Sequence, residues 1–254
     1  MYKDIANSIR IGENCILDAT NISVKLRKKA FNQINSVLGN SCYKTFAIVC
    51  LTSVSTCIER DSKRERSVGE EVIKKFISKF EYPQFFEGFQ TINYESDESS
   101  FNYYNRAEFY SRMSGFNQNS KYHKYDLLTH SLLLADSFND IRHEAALFHD
   151  IGKTYTETRD KEGYSHYYQH ANWSAYLVAC NMGMLNTDAY SGIPYSNKEL
   201  DIIFYINQHM HIRDIIKSEK AIEKYKKLWG KERFNNLIEF MNCDNLASGG
   251  NYNE

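Results

Sequence analysis

Ala145-Ala146-Leu147-Phe148-His149-Asp150-Ile151-Gly152-Lys153 is the stretch on which the fold of this chain turns. Four small or apolar residues run straight into an imidazole and a carboxylate, and a glycine follows two residues later. A buried helix that ends on His149-Asp150 puts an acid where it is costly to desolvate unless a cation shares the site. Outward from this stretch, the sequence reads as helix upon helix. Tyr125–Phe138, Ile141–Phe148, His170–Met182, Asn197–His211, Ser218–Leu228 and Lys231–Cys243 all carry apolar stripes at helical spacing. No strand pattern competes beyond about residue 122, and there is no internal repeat. Four more chemistry-bearing residues fall on these helices. His130 lies mid-helix, His170 begins a helix, and His209 and Asp244 close helices. Facing helices that project imidazoles and carboxylates to one point suit Mn²⁺, Fe²⁺, Co²⁺, Ni²⁺ or Zn²⁺.

Upstream the pattern changes. Cys15-Ile16-Leu17 reads as a short buried strand running into Asp18-Ala19-Thr20-Asn21, and Ser23 caps a helix over Val24–Val37. Thr45–Leu51 is a continuous apolar, β-rich run, as in a strand covered on both faces. A helix from about Ser55 runs into Lys63-Arg64-Glu65-Arg66, and another spans Glu70–Phe80. Strand, helix, strand, helix is the order of parallel α/β structure. The expected organisation is an α/β unit over residues 1–95, a polar linker over 96–117, and an all-α domain over 118–254, mostly α overall.

The chain has 254 residues, 42% hydrophobic and 25% charged, enough for one large domain or two small ones and unlike a disordered or collagen-like chain. No apolar run approaches the ~20 residues that cross a bilayer, and no signal peptide opens the chain, so a cytoplasmic protein without membrane contact is expected. The net charge of −1 gives no global basicity to advertise nucleic acid. Residues 1–95 hold 14 Lys/Arg against 11 Asp/Glu, and the remainder 17 against 21, which suits a phosphate binder followed by a metal site. Six cysteines (Cys15, Cys42, Cys50, Cys57, Cys180, Cys243) include no CxxC and sit mainly in apolar stretches, reading as buried reduced thiols.

The order His130, His149-Asp150, Asp244 resembles the H…HD…D signature of the HD-domain phosphohydrolases. Tyr122-His123-Lys124-Tyr125-Asp126, Phe148-His149-Asp150-Ile151-Gly152-Lys153, Tyr168-Gln169-His170 and Asn207-Gln208-His209-Met210 are similar to the HD domain attached to bacterial CCA-adding tRNA nucleotidyltransferases. The resemblance covers roughly residues 118–250. It implies an all-helical bundle that binds one or two divalent metals and hydrolyses phosphate esters. His130, His149, Asp150 and Asp244 would hold the first metal, and His170 and His209 match the extra histidines of the two-metal branch, with Asp150 bridging. Lys153, one helical turn beyond Asp150, is placed to neutralise phosphate charge. His123 is a candidate substrate contact. His166 and His211 rank as outer or surface residues.

Asp18-Ala19-Thr20-Asn21, Arg60-Asp61-Ser62-Lys63-Arg64-Glu65-Arg66, Phe80-Glu81-Tyr82-Pro83 and Glu87-Gly88-Phe89 resemble the later part of a P-loop polynucleotide kinase domain of the RNA-repair type. In that family the segment matching Asn21 lies at the phosphate-acceptor site. The segment matching Arg60, Arg64 and Arg66 is a lid over nucleotide phosphates, a task for which bidentate guanidinium groups are suited. No GxxxxGK[ST] occurs in the chain, so ATP binding and kinase activity are not expected of it alone. Another chain supplying that segment, a homodimer, or a fragment of a longer protein would each account for this. The strands at Cys15–Asp18 and Thr45–Leu51 would then pair with each other, dimerise or borrow a partner's strand. The expected activity is hydrolysis of a 2′,3′-cyclic or 3′-phosphate at an RNA or DNA end. The alternatives are a small-nucleotide phosphohydrolase and a non-catalytic nucleic-acid-binding subunit.

Overall fold

Helices α1 (Tyr2–Arg10) and α2 (Val24–Leu38) open the chain and pack on each other around Ala6, Ile34 and Leu38. The computed structural model describes residues 1–39, 43–96, 106–182 and 197–249, which are mostly helical. Ser23 caps α2 as expected, its Oγ accepting from the Leu26 amide, and Glu81 takes the Val24 amide at 2.7 Å. The expected strand at Cys15–Leu17 does not form. Those residues belong to no element, and Ile16 is 88% exposed. A three-residue apolar run holds strand geometry only beside a ladder, and the ladder here lies elsewhere. Strand β1 (Phe46–Leu51) pairs in parallel with β2 (Thr91–Ser96), from Phe46↔Thr91 to Leu51↔Ser96.

Strand β1 is also not covered on both faces. Ala47, Val49 and Leu51 point inward, while Phe46, Ile48 and Cys50 are exposed. The outward positions are themselves apolar, which hid the alternation in the sequence. The alternation exposes Cys50, and the other described thiols are also less buried than expected. Cys15 and Cys50 are exposed, Cys57, Cys180 and Cys243 are half-buried, and Cys42 lies outside the described residues.

After β1, Ser53 caps α3 (Val54–Ser62), and α4 (Glu70–Ile77) follows. Between them, the Asp61 carboxylate gathers the loop by accepting from Ser67 Oγ (2.6 Å), the Val68 amide (3.1 Å) and the Gly69 amide (2.8 Å). These bonds hold its pKa below the usual carboxylate value. Residues 97–105 of the expected linker are outside the described set. Its remainder carries α5 (Arg106–Met113), which buries Phe109 and Met113 and sends Arg106 bidentately onto Glu144 at 2.8 and 3.1 Å.

The helices that follow are α6 (Leu127–Ala135), α7 (Arg142–Phe148), α8 (Lys153–Thr156), α9 (His170–Ala179), α10 (Asn197–Gln208), α11 (Ile212–Ile215), α12 (Glu219–Trp229) and α13 (Lys231–Ala247). One departure from the all-helical expectation is a hairpin of β3 (Glu157–Arg159) and β4 (Ser165–Tyr167). Its turn is built by Asp160 Oδ1, which accepts from the Glu162 and Tyr164 amides, and by Gly163 at φ +87°. Three-residue strands are too short for an alternation to show in sequence.

Among the described residues the main apolar core runs from Val49, Leu51, Ile92 and Tyr94 into Phe109, Phe148, Ile203 and Phe240. Helix α9 ties the α/β residues to the helical ones. Trp173 Nε1 donates to Ser78 Oγ (2.9 Å), Asn172 Nδ2 to the Ser78 carbonyl (2.7 Å), and Tyr176 OH to the Thr52 carbonyl (2.6 Å). On its other side α9 meets Gly152 so closely that a Cβ there would lie 2.2 Å from the His170 carbonyl oxygen. No described helix is long and apolar enough to cross a membrane.

Candidate metal centre

The last carbonyls of an α-helix have no partner within the helix. His149 and His209 stand just past the ends of α7 and α10 and use that fact. His149 Nδ1 donates to the Ala146 carbonyl (2.8 Å), and His209 Nδ1 donates to the Ile206 carbonyl (2.7 Å). His170, at the start of α9, does the same toward the Tyr167 carbonyl of β4 (2.7 Å). A carbonyl only accepts, so each Nδ1 carries a proton and each Nε2 is left to bind. Two helix ends and one strand carbonyl thereby fix both the tautomer and the aim of three imidazoles.

Those Nε2 atoms converge on Asp150. His149 Nε2 lies 3.2 Å and His130 Nε2 3.6 Å from its Oδ2. His170 Nε2 lies 3.0 Å and His209 Nε2 3.5 Å from its Oδ1. Asp244 Oδ1 adds contacts of 3.1 Å to His130 and 3.5 Å to His149. The two imidazole pairs approach Nε2 to Nε2 at 3.3 Å (His130, His149) and 3.2 Å (His170, His209). Donor atoms sharing one ion through bonds of about 2.1 Å sit roughly 3.0–3.5 Å apart, so these separations fit the edges of a coordination shell. All six side chains are buried, and Asp150 Oδ1 has no hydrogen-bond donor among the described residues. An orphaned carboxylate oxygen facing two imidazoles in the interior is what a cation site requires. Two groups, His130/His149/Asp244 and His149/Asp150/His209, have ligand atoms close enough together to share an ion.

The electrostatics point the same way. Burial works against charge on Asp150 and Asp244, yet the surrounding imidazoles, with Lys153 beside Asp150, hold both carboxyls well below the usual range. Burial also opposes a charged His149, but Asp150 and Asp244 override it and raise its pKa to about 10, so a cation binding at its Nε2 has to displace a proton. Burial lowers His209 to about 4, which keeps it neutral at physiological pH, as a ligand must be.

Lys153 belongs to this cluster. It is 4% exposed, with Nζ 2.6 Å from Asp150 Oδ2 and 2.7 Å from Gln118 Oε1. His123 is brought in as well, its Nε2 3.4 Å from Lys153 Nζ and its ring 5.3 Å from that of His130. Burial and the Lys153 charge lower the His123 pKa to about 3. Two further residues had no signal in the sequence. Gln118 holds Lys153, and Arg213 holds the outer oxygen of Asp244 at 2.7 Å while reaching Asn245 with its other nitrogen. Neither belongs to a motif, and only the tertiary fold brings them in.

Asn21, Arg60, Arg64 and Arg66 are not part of this cluster. Asn21 is half-buried ahead of α2, and its carbonyl accepts from Arg27 Nη1 at 2.8 Å. Arg27 is held in turn by a buried bidentate pair with Glu87, two bonds of 2.9 Å. Arg60 is exposed on α3, and Arg64 and Arg66 are exposed on the loop that Asp61 gathers. His166 sits on the hairpin, paired with Asp160 at 2.8 Å, and His211 meets Gln208 at 2.9 Å.

Residues 1–83 match the family described as AAA domain, a P-loop NTPase-like kinase family, which supports the kinase resemblance of the N-terminal part. No curated protein and no solved structure matches the chain.

Proposed function

We propose that this chain is a divalent-metal-dependent phosphohydrolase of the HD type. Its HD bundle would span residues 118–254, after an α/β unit related to P-loop kinases. The observation that carries this reading is Asp150, whose two oxygens each face a separate pair of imidazole Nε2 atoms. His130, His149 and Asp244 would hold one ion, His170 and His209 a second, and Asp150 would serve both. A bound divalent cation supplies Lewis-acid polarisation of a phosphoryl oxygen and lowers the pKa of water. The protein's own share is to exclude water from a buried pocket and to balance charge. Lys153, fixed by Gln118, neutralises one phosphate charge beside Asp150. Neutral His123 offers hydrogen bonding from the Lys153 side, and Arg213 keeps Asp244 aimed. The substrate class is a phosphate ester, a 2′,3′-cyclic or 3′-phosphate at an RNA or DNA end, with Asn21, Arg60, Arg64 and Arg66 as outlying phosphate contacts.

The test is turnover of a generic phosphodiester with Mn²⁺, followed by a panel of 2′,3′-cyclic and 3′-phosphate ends. Removing a residue acting at the reacting atoms typically costs at least about 100-fold in rate, so His149→Ala and Asp150→Ala should each fall below that mark. Equal turnover by either variant overturns the reading. Because no GxxxxGK[ST] is present, labelled ATP and a 5′-hydroxyl oligonucleotide should yield no labelled product in the same preparation.

A further inference from the structure

Hairpin β3–β4 has two dissimilar faces. Ser165 and Tyr167 face the protein. Ser165 is buried, its amide donates to the Asn119 carbonyl, and Tyr167 donates its hydroxyl to the Gln118 carbonyl at 2.6 Å. The Tyr167 ring lies 5.6 Å from Lys153 Nζ, beneath the candidate centre. His166 points to the opposite face, and two further aromatic residues flank the strand, Tyr164 at the turn before it and Tyr168 just after it. Tyr164 is 49% and Tyr168 70% exposed, and His166 is half-exposed. The His166 and Tyr168 rings are already parallel, 5.8 Å apart at 10°, with His166 braced by Asp160. Such a row does nothing for the core, and a flat ring added to it would extend a stack that the fold has built.

The cations that remain for a ligand lie on the neighbouring segment. Lys121 and Lys124 make no ion pair among the described residues, while on the hairpin Glu157 and Asp160 are engaged with Arg159, Ser165 and His166, and Lys161 stands beside exposed Glu162 in the turn. The Lys121–Lys124 segment is fastened beside the centre by the His123↔Gly249 bridge and by the Lys124 amide on the Ser248 carbonyl. Tyr168 is itself only two residues from His170.

We propose that the Tyr164/His166/Tyr168 face is a nucleobase-stacking platform for a single-stranded nucleic acid, with Lys121 and Lys124 tracking its backbone. Stacking on aromatic rings with nearby cations is sequence-tolerant, which suits an enzyme acting on ends of any sequence. The proposal rests on the phosphohydrolase reading for what lies at the end of that strand.

Fluorescence anisotropy with a labelled oligothymidylate of about ten nucleotides tests it, using the full chain. The oligonucleotide should bind more tightly than labelled thymidine monophosphate. Tyr168→Ala should weaken oligonucleotide binding about 5- to 100-fold, and Tyr168→Phe, which keeps the ring, should restore it. The Lys121→Ala/Lys124→Ala double variant should lower the slope of log affinity against log salt by about 1–2. Equal binding by Tyr168→Ala and the wild type, or a mononucleotide that binds as well as the oligomer, overturns the platform. His149→Ala separates the two ideas, since it should abolish hydrolysis yet keep oligonucleotide binding. Hydrolysis without tight oligonucleotide binding removes the platform alone. Oligonucleotide binding that depends on Tyr168, with no hydrolysis, removes the phosphohydrolase reading alone.

Discussion

His170 differs from the other imidazoles in how it is held. His149 and His209 hang from helix ends, whereas His170 is anchored to a strand carbonyl and backed by the close approach of Gly152. Its Nε2 faces Asp150 Oδ1, on the side of the carboxylate away from His130. Titration of metal-free protein with Mn²⁺ should therefore give two sites per chain by calorimetry. His170→Ala should remove one of them and leave the His130/His149/Asp244 set intact. A single site in the wild type, unchanged by the substitution, would argue for a mononuclear centre. At this scale the sequence reading put His130, His149, Asp150, His170, His209 and Asp244 on helices or at helix ends, and the fold brings these six side chains together. Arg213 and Gln118 were not legible, because each meets its partner through tertiary contact between elements distant in sequence.

Helix α6 delivers His130, and its start is set by one residue. Asp126 Oδ1 accepts from the Thr129 amide at 2.8 Å, and Oδ2 accepts from the Gly115 amide at 2.7 Å. Partial burial opposes charge on Asp126, but these amides outweigh it and place its pKa below the ordinary carboxylate value. A depressed folded-state pKa gives stability that is complete above the unfolded value of about 3.9 and is lost as pH falls through the folded value. Asp126→Ala should thus cost about 0.5–2 kcal/mol at neutral pH in urea denaturation. The gap from the wild type should narrow in acid, below about pH 3.9. Helices were the more legible elements, since Ser23, Ser218 and the apolar stripes mark them directly. Strands were less so. Cys15–Leu17 carried the composition of a strand with no neighbour to pair with, and Thr91–Ser96 found its neighbour 45 residues upstream, at a distance that no local pattern reports.

Across the whole molecule, the expected division near residue 96 is crossed by a continuous core and by α9, whose first residue serves the candidate centre while Trp173 and Tyr176 reach Ser78 and Thr52. Mostly helical architecture follows from the sequence pattern, whereas the partner of the Phe46–Leu51 strand in the small parallel sheet does not. The intimacy of the two parts does not, because Trp173 and Tyr176 look like any other core aromatics in a helix. Helix α9 acts as a weld between the parts, which are not interchangeable modules. A protease recognition sequence placed within residues 97–105 and then cut should leave two pieces that elute together in gel filtration and retain bound Mn²⁺. Fragments that part on cutting would show that the seam is weaker than its buried rings and hydrogen bonds imply. If the weld holds, strain introduced at Thr52 or Ser78 should be felt at His170, so the α/β part would bear on the candidate centre without touching it.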